Sequence, residues 1–355
     1  MDKYRIDSHK LVYHIPRVYD WLKGEDIFPI YMEISPVGSC NHRCVFCAYD
    51  FIGYPNRKLD CDRLLAFIDE AKEAGVKSLL YAGEGEPLLH PDIEKFIIHS
   101  KNSGIDVGLF TNGQLLREGL AEAILPLLTF VRFSFNGGTK DNYADLHKVK
   151  PDIFGRVVAN MKIASEIKEK KALDVDIGVQ YVLLPENVDY LIDAVKTIKD
   201  TGVGYFVIKP FVQQSDLQSY RIAEPLDLDS IEHILNEAES LSSEDFIVIA
   251  RRESFEGYGK RKYKHCYGTS FVSVMNSAGD LATCLPYWDK DDFIFGNIYK
   301  SELGDIWHEK RRKKIKEYLE KELNVQECPP NCRPNSINEF LWEVKNPAVK
   351  HINFI

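Results

Sequence analysis

The stretch Y-M-E-I-S-P-V-G-S-C-N-H-R-C-V-F-C, residues 31–47, sets a β-type run shortly ahead of a loop carrying Cys40, Cys44 and Cys47. This C-x3-C-x2-C spacing gathers three thiols and supplies no fourth nearby. Three thiolates this close can hold zinc or an iron–sulfur cluster. A structural zinc site takes four protein ligands and often arranges them as two C-x2-C-like pairs. A cubane cluster has four irons, so three cysteines leave one iron for an outside ligand. The spacing therefore favours a cluster with an open iron. His42, inside the loop, is the alternative fourth ligand, but its crowded position suits the surface or a place behind the ligands better.

Outward from this loop, short β-rich runs alternate with longer helical patterns up to about residue 210. The strand candidates are YMEIS (31–35), KSLLYAG (77–83), IDVGLFT (105–111), FVRFSF (130–135), DIGVQYVLL (176–184) and YFVIKPF (205–211). Between them run amphipathic stretches such as CDRLLAFIDEAKEAG and VDYLIDAVKTIKDTG, each ending at a glycine that suits a helix C-terminus. Six βα-like units in series predict an α/β fold with a parallel sheet, either doubly wound or a full or partial barrel. Polar residues follow the strands: Glu84 and Glu86, Thr111 and Asn112, Ser134 and Asn136. The C-terminal ends of parallel barrel strands are where active sites form. Glu84 and Glu86 could be a solvated turn, an acid/base pair would need a defined substrate between them, and a ligand contact by Glu86 is the better reading.

The chain has 355 residues, 45% of them hydrophobic, which allows one large domain and a smaller appendage. A net charge of -9 argues against a sequence-blind grip on nucleic acid or an anionic membrane. The basic run Lys310–Lys314 has Glu309, Glu317 and Glu320 around it and reads as a solvated helical face. The opening residues do not resemble a signal peptide, and no window of about 18 apolar residues suggests a membrane span. A cytoplasmic location is expected, where clustered cysteines are more often metal ligands than disulfides.

Beyond about residue 250 the pattern changes. FVSVMNSAGDLATC (271–284) predicts a β-hairpin turning near Ser277–Asp280, followed by a charged helix over about 301–323 and then CPPNC (328–332). No repeat or long linker intervenes, so this region should pack closely on the first. Cys266, Cys284, Cys328 and Cys332 are enough to close a metal site completely, and four-cysteine zinc suits them too. Cys61 stands apart at the start of a helical pattern, as a small buried residue or as a hydrogen-atom donor.

With Phe46 just before its last cysteine, the loop Cys40-x3-Cys44-x2-Cys47 resembles the cluster loop of radical S-adenosylmethionine (SAM) enzymes. The resemblance implies a [4Fe–4S] cluster on these three cysteines, with SAM on the open iron. It also implies a 5′-deoxyadenosyl radical that removes a substrate hydrogen atom, and an electron donor such as flavodoxin or ferredoxin. AGEGEPLLHPD (82–92) is similar to the family's Gly-Gly-Glu-Pro segment, which binds the cosubstrate's amino group. Its last three residues fall on Gly85, Glu86 and Pro87, and Glu84 replaces the first glycine. TNG (111–113) and RFSFNGGTKDNYADLHKV (132–149) share the family's look. They nominate Ser134 and Asn136, with Gln180 on the fifth strand, for the ribose or carboxylate. Phe46 and Asn112 complete the candidate cosubstrate contacts.

Cys266-x12-Gly279-x4-Cys284, followed by the pair Cys328 and Cys332, resembles the SPASM and twitch domains that carry auxiliary [4Fe–4S] clusters. Four cysteines imply one auxiliary cluster. The expected organisation is an N-terminal segment (1–27), a partial (β/α)6 parallel barrel (28–250) and a smaller cluster-binding domain with a β-hairpin and helices (251–355). An auxiliary cluster offers a place for an electron left after hydrogen abstraction beside a hydroxyl, so the leading expectation is an oxidoreductase or epimerase acting on a polar small molecule, such as a sugar or nucleotide-linked sugar. Arg251 and Arg252, where the domains should meet, are candidates for steadying an oxyanion or an anionic substrate, against a plain surface ion pair. Two rivals remain. One is a peptide-maturing enzyme that crosslinks or epimerises, disfavoured because 30 residues before the first strand are short for a leader-binding domain. The other is a non-catalytic metal-binding module.

Overall fold

The computed structural model describes residues 4–5, 8–211, 213, 226–330 and 332–354. Strands β1 (Tyr31–Ile34), β2 (Ser78–Tyr81), β3 (Asp106–Thr111), β4 (Phe130–Ser134), β5 (Asp176–Leu183) and β6 (Tyr205–Pro210) lie side by side in chain order. They are the six β-rich runs of the sequence, all parallel, with helices in the connections. A seventh parallel strand, β7 (Ile247–Ala250), pairs with β6. The sheet stays open, as a partial barrel.

Side chains alternate between the faces of a strand. Met32, Ile34, Val107, Leu109, Val131 and Phe133 point to the helical layer and are fully buried in the main core. The other, concave face is markedly polar and aromatic. There the Arg132 guanidinium lies 5.0 Å from the Phe110 ring centre and donates to the Tyr205 hydroxyl at 3.2 Å. The helices close as their sequences suggest. Asp60 caps Cys61–Glu73 by accepting the Arg63 amide at 3.0 Å. Gly75 and Gly202, just past their helices, take φ near +79°, a conformation only glycine adopts freely.

The predicted hairpin forms from β8 (Val272–Met275) and β9 (Asp280–Ala282), and β10 (Ile294–Asn297) adds an antiparallel edge. β8 pairs with β1 in parallel, Tyr31 opposite Val272, so one ten-stranded sheet runs through both regions. Further ties cross between them: Trp307 Nε1 donates to Ile27 O at 2.8 Å, and Arg63 Nε donates to Ile298 O at 2.6 Å. The charged helix expected over about 301–323 is two helices, Leu303–His308 and Lys310–Lys321, parted at Glu309 where ψ is 150°. Its basic run is not wholly a solvated face. Arg312 is only 2% exposed, pairs with Asp26 and stacks 3.8 Å over the Trp307 ring. Among the described residues, no helix is long and apolar enough to cross a membrane.

Candidate active site

The cysteine loop leaves the C-terminal end of β1 and is pinned to the end of helix Lys140–His147. The Arg43 amide donates to His147 O at 3.1 Å and the Val45 amide to Leu146 O at 2.9 Å. Burial pushes the Cys40 thiol up to about 12, with Glu86 and Cys47 adding to the rise. Cys44 is raised well above the ordinary range by burial and then by Cys40 and Cys47, and Cys47 is raised by burial against a hydrogen bond from Tyr54. Thiols that are buried and oppose one another's ionisation become thiolates only when a cationic centre takes up the charge.

The spacing of the sulfurs suits a cluster better than a single zinc ion. Zinc–sulfur bonds of about 2.3 Å would bring the sulfurs within about 3.8 Å of one another. Among the described residues, the only donor trio within 4.8 Å is His42, Cys44 and His147. Neither cysteine set is drawn that tight, and the wider spread suits a cluster.

Glu86 faces this loop. Its carboxylate accepts the Thr111 hydroxyl at 2.6 Å, the Asn112 amide at 2.7 Å and the Leu88 amide at 3.2 Å. Burial nevertheless lifts its pKa to about 7. The Glu86 amide donates to Ser39 O at 3.0 Å, which brings the segment hard against the cysteine loop. A Cβ on Gly85 would stand 2.3 Å from both Ser39 O and Val37 O, so glycine is required there. Pro87 opens the short 3-10 turn that aims Glu86. Asn112 reaches the loop directly, donating from Nδ2 to Asn41 Oδ1 at 2.7 Å.

Ser134 and Gln180 sit opposite each other on β4 and β5, with no partner on either side chain among the described residues. Asn136 differs. It is fully buried, and its Oδ1 accepts the Val182 amide at 2.6 Å, so its side chain serves the protein's own network. Phe46 packs edge-on to His147, ring centres 5.2 Å apart.

The second cysteine group also converges. Cys284 is raised by burial and then by Cys332, Cys266 and Cys328. Cys332 is raised by burial and by Cys266 and Cys328. Asn338 Nδ2 lies 3.6 Å from Cys266 Sγ. Of the two arginines, only Arg251 stands close enough to act on Lys209, on the concave face of β6. Its amide extends the β6–β7 pairing by donating to Ile208 O at 3.0 Å. Arg252 turns away to Glu239 at 2.8 Å and Glu232 at 3.0 Å. Cys61 opens its helix among Asp92, Lys95, Asp62 and Asp60, none of which belongs to the cysteine loop.

Three residues around the site escaped the sequence reading. Lys209, on β6, has its pKa pushed down to about 7 by burial and by Arg251 and Arg132. No acceptor engages its ammonium among the described residues. Glu33, on β1, is buried, accepts the Tyr31 hydroxyl at 3.1 Å and pairs with Arg333, the residue after Cys332. Strand alternation is the signal that could have found Glu33 and Lys209. Nothing in the sequence marks His147, which is fully buried 3.3 Å from Cys44 Sγ.

The family model of the radical SAM superfamily matches residues 34–198, and that of the SPASM iron–sulfur cluster-binding domain matches residues 266–333. The tungsten-containing aldehyde ferredoxin oxidoreductase cofactor-modifying protein of Pyrococcus furiosus is 23% identical over 298 residues, covering 79% of this chain and 81% of that protein. The dTDP-4-amino-4,6-dideoxy-D-glucose ammonia-lyase of Streptomyces venezuelae is 26% identical over 184 residues, covering 50% of this chain and 38% of the lyase. Among solved structures, Streptococcus suis SuiB bound to the precursor peptide SuiA is similar in fold. Its TM-score is 0.63 at 17% identity, covering 86% of this chain and 71% of SuiB.

Proposed function

This chain belongs to the radical SAM superfamily and carries a SPASM domain, and from that premise we propose that it dehydrogenates a hydroxyl-bearing, anionic small molecule such as a nucleotide-linked sugar. Cys40, Cys44 and Cys47 would hold the first [4Fe–4S] cluster, and Cys266, Cys284, Cys328 and Cys332 the auxiliary one. When bound, the first cluster and SAM supply a 5′-deoxyadenosyl radical, and the auxiliary cluster accepts one electron. Glu86 would receive the cosubstrate's amino group, with Ser134 and Gln180 turned to its ribose or carboxylate.

The carrying observation is the pair Glu33–Arg333. Arg333 follows Cys332 in the chain, yet its side chain reaches Glu33 and Tyr31 on the concave face of β1. The second cysteine group therefore abuts the concave face of the sheet at the point where a buried carboxylate stands. A carbon–hydrogen bond beside a hydroxyl yields its hydrogen atom to the radical. Glu33 would take the hydroxyl proton, and an auxiliary cluster held by the second cysteine group would supply the acceptor for the remaining electron, leaving a carbonyl. Epimerisation needs a hydrogen-atom donor instead, and Cys61 stands among residues of the helical layer.

Lys209, Arg132 and Arg251 would supply the anion preference: among the described residues no acceptor engages the half-buried Lys209 ammonium, and an anionic group of the substrate would satisfy it. The Streptomyces lyase is named for a nucleotide-linked sugar, a compound of this class.

The test is an anaerobic incubation with a flavodoxin- or ferredoxin-type donor, SAM and a panel of carbon-deuterated nucleotide sugars. Deuterated 5′-deoxyadenosine and a product lighter by a hydrogen pair support dehydrogenation. A product changed only by replacement of that deuterium with protium would mean epimerisation. Turnover only with peptides would transfer the chain to the maturases.

A further inference from the structure

The trio His42, Cys44 and His147 sits on a hydrogen-bond chain whose every direction is set by backbone amides at its two ends. At one end the Gln114 amide donates to Asn112 Oδ1 at 3.0 Å, which leaves Asn112 Nδ2 to donate to Asn41 Oδ1 at 2.7 Å. Asn41 Nδ2 must then donate to Gln114 Oε1 at 2.9 Å. The same Gln114 oxygen lies 2.9 Å from His42 Nε2 and can only accept. His42 therefore carries its proton on Nε2 and presents a lone pair at Nδ1.

The other end gives the matching answer. The Asn136 amide, 3.2 Å from His147 Nε2, can only donate, so that nitrogen holds a lone pair. Asn136 Nδ2, oriented by the Val182 amide on Oδ1, approaches the same nitrogen at 3.4 Å. His147 is thus neutral with its proton on Nδ1. That N–H faces two acceptors, His42 Nδ1 at 3.4 Å and Cys44 Sγ at 3.3 Å. This tautomer also prevents His147 from ligating a metal through Nδ1.

Resting on the reading that Cys40, Cys44 and Cys47 hold a cluster, we propose that His147 is a positioning residue that donates its Nδ1–H to the Cys44 sulfur and raises the cluster's reduction potential. A hydrogen bond to a cluster sulfur favours the reduced, more negative state. The chain begins at Asn112, whose amide holds Glu86, so the cosubstrate segment and the cluster ligand share one rigid array. His42 shares the proton and thereby weakens the donation to sulfur.

The experiment is an anaerobic redox titration, followed by electron paramagnetic resonance, of the signal missing when Cys40, Cys44 and Cys47 are all alanine. His147→Phe keeps the ring that stacks 4.0 Å from Tyr143 but removes the N–H. It should lower the reduced-to-oxidised ratio at a fixed potential about tenfold, about 59 mV for one electron. His147→Asn, which returns an N–H near the Nδ1 place, should recover part of the shift. His42→Phe removes the competing acceptor and should move the midpoint upward, a sign that a merely structural role does not produce. An unchanged midpoint in His147→Phe at full iron content overturns the proposal. If that variant does not retain iron, His42→Phe decides alone: a rise supports the donation, and a fall or no change overturns it. Iron retained in full by the triple-alanine variant would instead sink the cluster reading itself.

Discussion

Glu84 accepts the backbone N–H of Ser277 at 2.8 Å, joining two residues 193 positions apart in the chain. The residue that departs from the family's glycine is therefore a clamp between the loop after β2 and the hairpin turn before β9. Arg57 adds a partner at 3.3 Å, but it is 39% exposed and contributes little. Glu84→Ala should cost about 2 kcal/mol, read as a lower urea midpoint at unchanged slope. Glu84→Gln, which can still accept from Ser277, should lose less.

Gly85→Ala pushes a methyl into Ser39 O and Val37 O, both backbone atoms that cannot swing aside. A loss of about 1–3 kcal/mol is expected, together with reduced iron retention, because the contact is with the cysteine loop itself. Urea unfolding and iron analysis of the same preparation check both.

Lys209 makes stability depend on pH. Its folded pKa, about 7, lies below the ordinary 10.5, so the folded state penalises the charged form. Below pH 7 both states hold the proton and the penalty is complete. Between about 7 and 10.5 the unfolded chain binds more protons, so stability should rise with pH. Lys209→Met should flatten that rise in urea titrations at about pH 6 and about pH 9. Pyrophosphate should raise the melting temperature of the wild type at the lower pH and do less for the variant.

Glu33→Gln removes the proposed proton acceptor while keeping the shape. In the proposed dehydrogenation, 5′-deoxyadenosine should still form, but carbonyl product per turnover should fall about a hundredfold. Equal product from the variant would remove Glu33 from the chemistry.

Much of the fold could be read from the chain because the first six strands are apolar runs flanked by helices with glycine exits. β7 escaped because its four residues, Ile247–Ala250, sit between a polar turn and a charged helix. The pairing of β1 with β8 escaped for a different reason: contacts between residues 241 positions apart leave no local pattern. Glu309 broke the late helix through its backbone alone, with no proline or glycine to announce it.

At the site, the cysteines and Glu86 stood out because their chemistry constrains spacing. Arg251 and Arg252 were indistinguishable as neighbours, although period-2 alternation would have separated them. Arg251 continues the face of Ile247 and Ile249, while Arg252 starts the helix Arg252–Glu256. His147 was invisible, since its role depends on the tautomer that Asn136 imposes.

The most direct measurement is iron and sulfide per chain after anaerobic reconstitution, comparing wild type with the variant in which Cys40, Cys44 and Cys47 are alanine. Two cubane clusters predict about eight irons falling to about four. About four falling to none would contradict the account, because the second cysteine group would then hold no cluster to receive the electron.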